Sequence, residues 1–172
     1  SEVERVLEDS RRTNEEIIKR LRDALRESEK TNRDIEKRLR EMLKKSKETN
    51  ERIKRSDRDK DELKKLVEKD KKEVEDALKD LEDLVREDKE RVDEALERMR
   101  KLVEDDKEAL ERRIKDKKVL DKARELVRRT EEIVKDVIRK SRELVKESKE
   151  RVDRVITESR RVVKKTLDDI RK

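Results

Sequence analysis

Cysteine, histidine, glycine, proline, phenylalanine, tyrosine and tryptophan are all missing from these 172 residues, and each absence closes off some chemistry. Without cysteine there is no disulfide framework and no thiolate, so cysteine usage marks no redox compartment. Without histidine the commonest general base and metal ligand is lost. Without aromatic rings there is no platform on which nucleic-acid bases stack, and no Trp or Phe anchor for a helix lying on a membrane. Without glycine, helix ends lack their usual left-handed terminator. No apolar run approaches the roughly 18 residues of a membrane span, and no charged-then-apolar leader opens the sequence, so neither is expected.

What is present is charge. Charged residues make up 62% of the chain and apolar ones 28%, a bias that fits either disorder or long helices. Periodicity decides for helix. At 100° per residue, Val3, Val6, Leu7, Ile17, Leu21, Leu25, Ile35, Leu39, Leu43 and Ile53 fall within an arc of roughly 140°. Two later tracts behave the same way, one running from Leu63 to Ile114 and the other from Leu120 to Ile170. Each helix has one apolar face, and a capping serine with a glutamate three residues on, Ser1 and Glu4, begins the first.

Polar residues recur inside those apolar arcs at an interval of eighteen. Ser10, Thr13 and Asn14 return as Ser28, Thr31 and Asn32, then as Ser46, Thr49 and Asn50. Asp70, Asp88 and Asp106 keep the same spacing, as do Thr130, Ser148 and Thr166, and the small-residue row Ala123, Ser141 and Ser159. Eighteen residues make five turns of a straight α-helix, so every member of a row faces the same way.

The arcs lose phase near 55–60 and 115–118. The pattern predicts an all-α fold, a single elongated antiparallel up-down-up bundle over 1–172. Its three essentially untwisted helices, of about 54 residues each, cover about 2–55, 58–115 and 118–171. Ser56 or Asp57 is the expected N-cap of the second helix, and Asp116 of the third. Basic and acidic residues number 18 and 14 up to residue 55, 19 and 24 over 56–117, and 19 and 12 thereafter. An acidic middle helix between two basic ones favours that order, each surface pair contributing only tenths of a kcal/mol.

Folding about the two turns brings the rows to common heights. Ser10, Thr13 and Asn14 meet Asp106 and Thr130; Ser28, Thr31 and Asn32 meet Asp88 and Ser148; Ser46, Thr49 and Asn50 meet Asp70 and Thr166. An ionised aspartate only accepts, whereas Asn, Ser and Thr supply donors, so three buried hydrogen-bonded layers are expected. A slipped register would set carboxylates against Leu and Val, which makes the layers devices for structural specificity.

On these rows, and on surfaces filled almost entirely with Glu, Lys, Arg and Asp, the chain resembles de novo designed, parametrically generated three-helix bundles with buried hydrogen-bond networks. The resemblance covers the whole chain and implies a stable scaffold without evolved activity.

Chemistry reads poorly against that frame. Successive aspartates of one helix lie about 27 Å apart and each layer holds a single carboxylate, too few oxygen ligands for a hard cation. Nucleophilic catalysis lacks a histidine base and an oxyanion hole. No cofactor and no catalytic or metal-binding residue is expected. The net charge of +6 suggests only weak, salt-sensitive contact with nucleic acid, because Lys and Arg are interleaved with acids on every exposed face. Aspartate and asparagine at the centres of the apolar faces argue against a membrane partner. A monomer requiring no partner is expected, since one arc per helix leaves no apolar surface to spare; a homo-oligomer or fibre is the variant. A natural spectrin-like or coiled-coil spacer is the alternative, although such spacers drift in phase and carry aromatic residues.

Overall fold

In the computed structural model, which describes Ser1–Lys172, the chain forms three α-helices packed as an antiparallel three-helix bundle: α1 (Glu2–Arg55), α2 (Lys60–Arg113) and α3 (Lys117–Arg171). The Ser1 hydroxyl accepts the Glu4 N–H at 3.2 Å, and the Glu4 carboxylate accepts from the terminal ammonium at 3.5 Å. This is the reciprocal pairing that Ser-x-x-Glu provides.

The second helix is shorter than its apolar pattern, beginning at Lys60 rather than 58 and ending at Arg113 rather than 115. Asp59, not Ser56 or Asp57, occupies its N-cap, with a carbonyl that accepts the Leu63 N–H at 3.0 Å. Ser56 instead closes α1, giving its N–H to the Ile53 carbonyl at 3.2 Å. At the other turn Asp116 caps α3 as expected. Its carboxylate accepts the N–H groups of Lys118 at 2.9 Å and Val119 at 3.3 Å, so α3 begins at Lys117, one residue before the anticipated 118. No residue has positive φ, and both turns are made without a left-handed terminator.

Two compact units divide the chain, each taking a stretch of all three helices. One comprises Ser1–Lys30 and Asp88–Leu144, the other Thr31–Glu87 and Val145–Lys172. The first unit's core packs Ile17 and Leu21 of α1 with Val103, Leu110 and Ile114 of α2 and Val127, Val134 and Val137 of α3. The second unit has two apolar clusters. Ile35, Leu39, Leu78, Leu81 and Val152 form one, and Ile53, Leu63, Val67, Val163 and Ile170 form the other. Fully burying each such side chain contributes about 1.5–3 kcal/mol. Leu102 is the one large apolar side chain left exposed, and no helix is long and apolar enough to cross a membrane.

Candidate functional site

The polar rows are the one feature of the interior that apolar packing does not explain. In the first unit Ser10 and Asn14 are buried on α1, where i and i+4 share a face. Both converge on Asp106 of α2, which accepts the Ser10 hydroxyl at 2.8 Å and the Asn14 amide at 2.9 Å on the same oxygen, Oδ2. The amide also reaches back to the Ser10 carbonyl at 2.7 Å, fixing the asparagine against its own helix. The second unit repeats this geometry two eighteen-residue intervals away. Asp70 Oδ2 accepts the Ser46 hydroxyl and the Asn50 amide, each at 2.8 Å, and the amide again reaches a carbonyl one turn back, that of Ser46, at 2.8 Å.

The row between them has different partners. In the first unit Ser28 donates to Asp88 at a longer 3.4 Å, and Arg91, one turn along α2, binds the other carboxylate oxygen at 3.1 Å. In the second unit Asn32 is an acceptor. Its Oδ1 takes the hydroxyl of Ser148 and, at 3.3 Å, a guanidinium N–H of Arg151, which lies 3.5 Å from Glu36. Asn32 and Ser148 therefore meet at one height, as their numbers predict.

Several expected members of the layers lie elsewhere. Thr13, Thr31 and Thr49 are only half-buried, and their hydroxyls make no bond across the bundle. Asp106 is also half-buried, unlike Asp70 and Asp88. Thr130 and Thr166 are fully buried, yet neither hydroxyl serves an aspartate. Each donates to the carbonyl four residues back, Leu126 at 3.3 Å and Val162 at 2.8 Å. A helical threonine has two accessible rotamers and settles readily against that carbonyl. Across from them, Asn14 Oδ1 and Asn50 Oδ1 are buried without a hydrogen-bond partner. Ser141 and Ser159 are buried on α3, and Ser159 donates to the Ile156 carbonyl at 3.0 Å.

Apolar periodicity gives no sign of the arginines. Arg151 and Arg91 each sit three residues after a core polar position, Ser148 and Asp88, a spacing that returns a long side chain to the rim of the same face. Nor does the periodicity mark Lys54, whose ammonium lies 3.0 Å from Asp169 of α3 and 3.1 Å from Glu51. The bond to Asp169, then that to Glu51, raises the Lys54 pKa above its ordinary value, and the Lys54 ammonium lowers that of Asp169. Glu36 is likewise held below the usual carboxylate range, by its bond to Arg40 and then by the charge of Arg151.

Chemically, these groups bind one another. No three His, Cys, Asp or Glu residues are grouped to hold a metal ion. Each aspartate has its Oδ2 occupied by a neighbouring donor rather than open to a substrate.

No protein-family model matches the chain, and no curated protein matches it. Among solved structures, one described as a computationally designed three helix bundle aligns with 99% of this chain and 83% of its own, at 24% identity and a TM-score of 0.34.

Proposed function

We propose that this chain is a designed, non-catalytic structural scaffold: a monomeric helical bundle in which hydrogen-bonded polar positions recur along an apolar core and fix its register. The observation that carries the reading is the recurrence, after two eighteen-residue intervals, of Ser-x-x-x-Asn opposite Asp, at Ser10, Asn14 and Asp106 and again at Ser46, Asn50 and Asp70, with matching bonds in both units. Evolution has no reason to hold a five-turn phase so strictly over three helices, and the absence of aromatic residues points the same way. The monomer reading is supported by Leu102 being the only exposed large apolar side chain, because an obligate interface is markedly more apolar than ordinary surface.

A modular scaffold tolerates removal of a whole module. Deleting Ser28–Lys45, Lys71–Asp88 and Ser148–Lys165 together takes eighteen residues from each helix and preserves the phase of every row. The shortened chain is expected to stay helical, to unfold cooperatively and to scatter light as a monomer. A molten or aggregated product would overturn the modular reading, and a dimer of the intact 20.9 kDa chain would overturn the monomer.

A further inference from the structure

In the second unit, α2 and α3 leave a groove of about 770 Å³ between them, within the size range of small-molecule sites. Its floor is mostly apolar: Val74, Leu78 and Val163 are buried there, and Ile156 and Leu167 half-buried, with the buried Ser159 as the one hydroxyl, its proton given to the Ile156 carbonyl. Its rim carries five cations, Lys71, Lys79, Arg160, Lys164 and Arg171, against three acids, Glu75, Glu82 and Asp168. The ion pairs formed by this part of α3 use other residues, Glu158 with Lys47 and Arg161, and Asp169 with Lys54. The five rim cations remain unpaired.

The charge is polarised along the groove. Because α2 and α3 are antiparallel, Lys71 at the start of the α2 wall lies toward the same end as Lys164 and Arg171 on α3, with Asp168 as the acid among them. Toward the other end, Lys79 and Arg160 are balanced by Glu75 and Glu82. From Lys71 to Glu82 the floor runs about 17 Å at 1.5 Å per residue, room for the extended tail of a medium-length fatty acid. A positive end joined to a neutral apolar trough complements one kind of molecule, a chain with an anionic head.

We infer that this groove binds a medium-chain anionic amphiphile, a fatty carboxylate, with its head between Lys71 and Lys164 and its tail along Val74, Leu78, Ile156 and Val163. The bundle stays closed, because Val74, Leu78 and Ile156 already pack in one apolar cluster and Val163 and Leu167 in another, and the ligand covers only their outer edges. A smaller groove on α1 in the first unit serves as an internal control. It measures about 440 Å³ and is lined by Glu15, Ile18, Lys19, Arg22, Asp23 and Arg26, with a single apolar residue and no trough for a tail.

The test is calorimetric titration of the full chain with laurate below its micellar concentration, with dodecyl maltoside as the neutral counterpart and circular dichroism recorded alongside. One saturable laurate site is expected, weakened by added salt. Lys71→Glu with Lys164→Glu should weaken binding about tenfold or more through reversed head-group electrostatics. Lys19→Glu with Arg22→Glu, equally charge-reversing and set in the other groove, should leave it within about twofold. The inference is overturned by absence of a saturable site, by dodecyl maltoside binding as tightly as laurate, by equal weakening in the two double variants, or by loss of helicity on titration. It stands apart from the scaffold reading, which repeat deletion tests without any ligand.

Discussion

Replacing Asp70 by alanine and replacing its whole cluster by apolar residues should have opposite outcomes. Asp70 is 8% exposed and accepts two hydrogen bonds at 2.8 Å, from Ser46 and from Asn50. In Asp70→Ala both donors lose a charged acceptor in the interior. The Asn50 amide keeps its bond to the Ser46 carbonyl and a long 3.5 Å contact to the Ser46 hydroxyl oxygen. Each orphaned donor costs about 1–3 kcal/mol, so the single substitution should destabilise by about 2–6 kcal/mol. In the triple variant Ser46→Ala, Asn50→Leu, Asp70→Leu no donor is left behind. The Asn50 Oδ1, already without a partner, is removed with the rest. Replacing a buried polar cluster by packed apolar groups is typically neutral or stabilising by about 1–4 kcal/mol, so the triple variant should equal or exceed the parent.

Guanidinium unfolding followed by circular dichroism, at constant dependence on denaturant, reads both. Non-additivity is the signature: three substitutions together should be milder than one of them alone. If Asp70→Ala loses less than about 0.5 kcal/mol, its hydrogen bonds are not sequestered from water and the layer is ornamental. If the triple variant loses as much as the single ones summed, the layer adds net stability rather than register, and the argument fails in the other direction.

The contrast between serine and threonine on α3 gives a second test. Ser148→Ala removes a direct donor from Asn32 Oδ1, leaving the 3.3 Å contact to Arg151, and should lower stability by about 1–2 kcal/mol in the same unfolding assay. Thr166→Val removes a hydroxyl that bonds only its own helix carbonyl and should change stability by less than about 0.5 kcal/mol; equal losses would disprove the distinction. The Lys54–Asp169 pair sets a pH window. The Asp169 pKa is depressed from 3.8, so its contribution is present above that value and is lost as pH falls through the lower folded-state value; the Lys54 pKa is raised from 10.5, so its contribution is full below that value and is lost as pH rises past the higher one. Asp169→Asn should therefore flatten the part of the acid limb due to this pair in a stability–pH profile, and an unchanged limb would show that the pair contributes nothing.

Periodicity made the helices and the facing of their rows legible, because a strict five-turn interval survives any detail of side-chain conformation. Asp70 and Asp88 are buried, and Asn32 meets Ser148, for that reason alone. Helix ends were harder to read. A fall in apolar content near 56–59 does not say which of Ser56, Asp57 and Asp59 will cap, and the choice went to the residue whose carbonyl starts the ladder. The rotamers within a row were harder still. Position 148 and positions 130 and 166 carry the same hydroxyl at the same phase, yet the serine reaches across to α1 and the threonines turn back on α3.

The methyl group on Cβ separates the two threonines from Ser148, although Ser159 on the same helix also turns back, to the Ile156 carbonyl. That methyl restricts χ1 and favours the rotamer in which Oγ1 meets the carbonyl one turn back, whereas serine swings outward at little cost. The consequence runs beyond the individual side chain. Where α3 carries threonine, its hydroxyl stays on its own helix, the facing asparagine keeps an unpartnered Oδ1, and the interior polar bonds join α1 to α2 alone. At Ser148 the hydroxyl bonds Asn32, and Arg151 then adds a charged donor to the same oxygen. Register between α1 and α2 is thus fixed by hydrogen bonds in each unit, while α3 is held in the first by apolar packing, by the half-buried pair Lys107–Glu131 and by the exposed pair Arg124–Glu111. Ordered by buried polar contacts, the α1–α2 pairing is the more strongly specified, and in the first unit α3 depends on its apolar stripe of Val127, Val134, Val137 and Ile138.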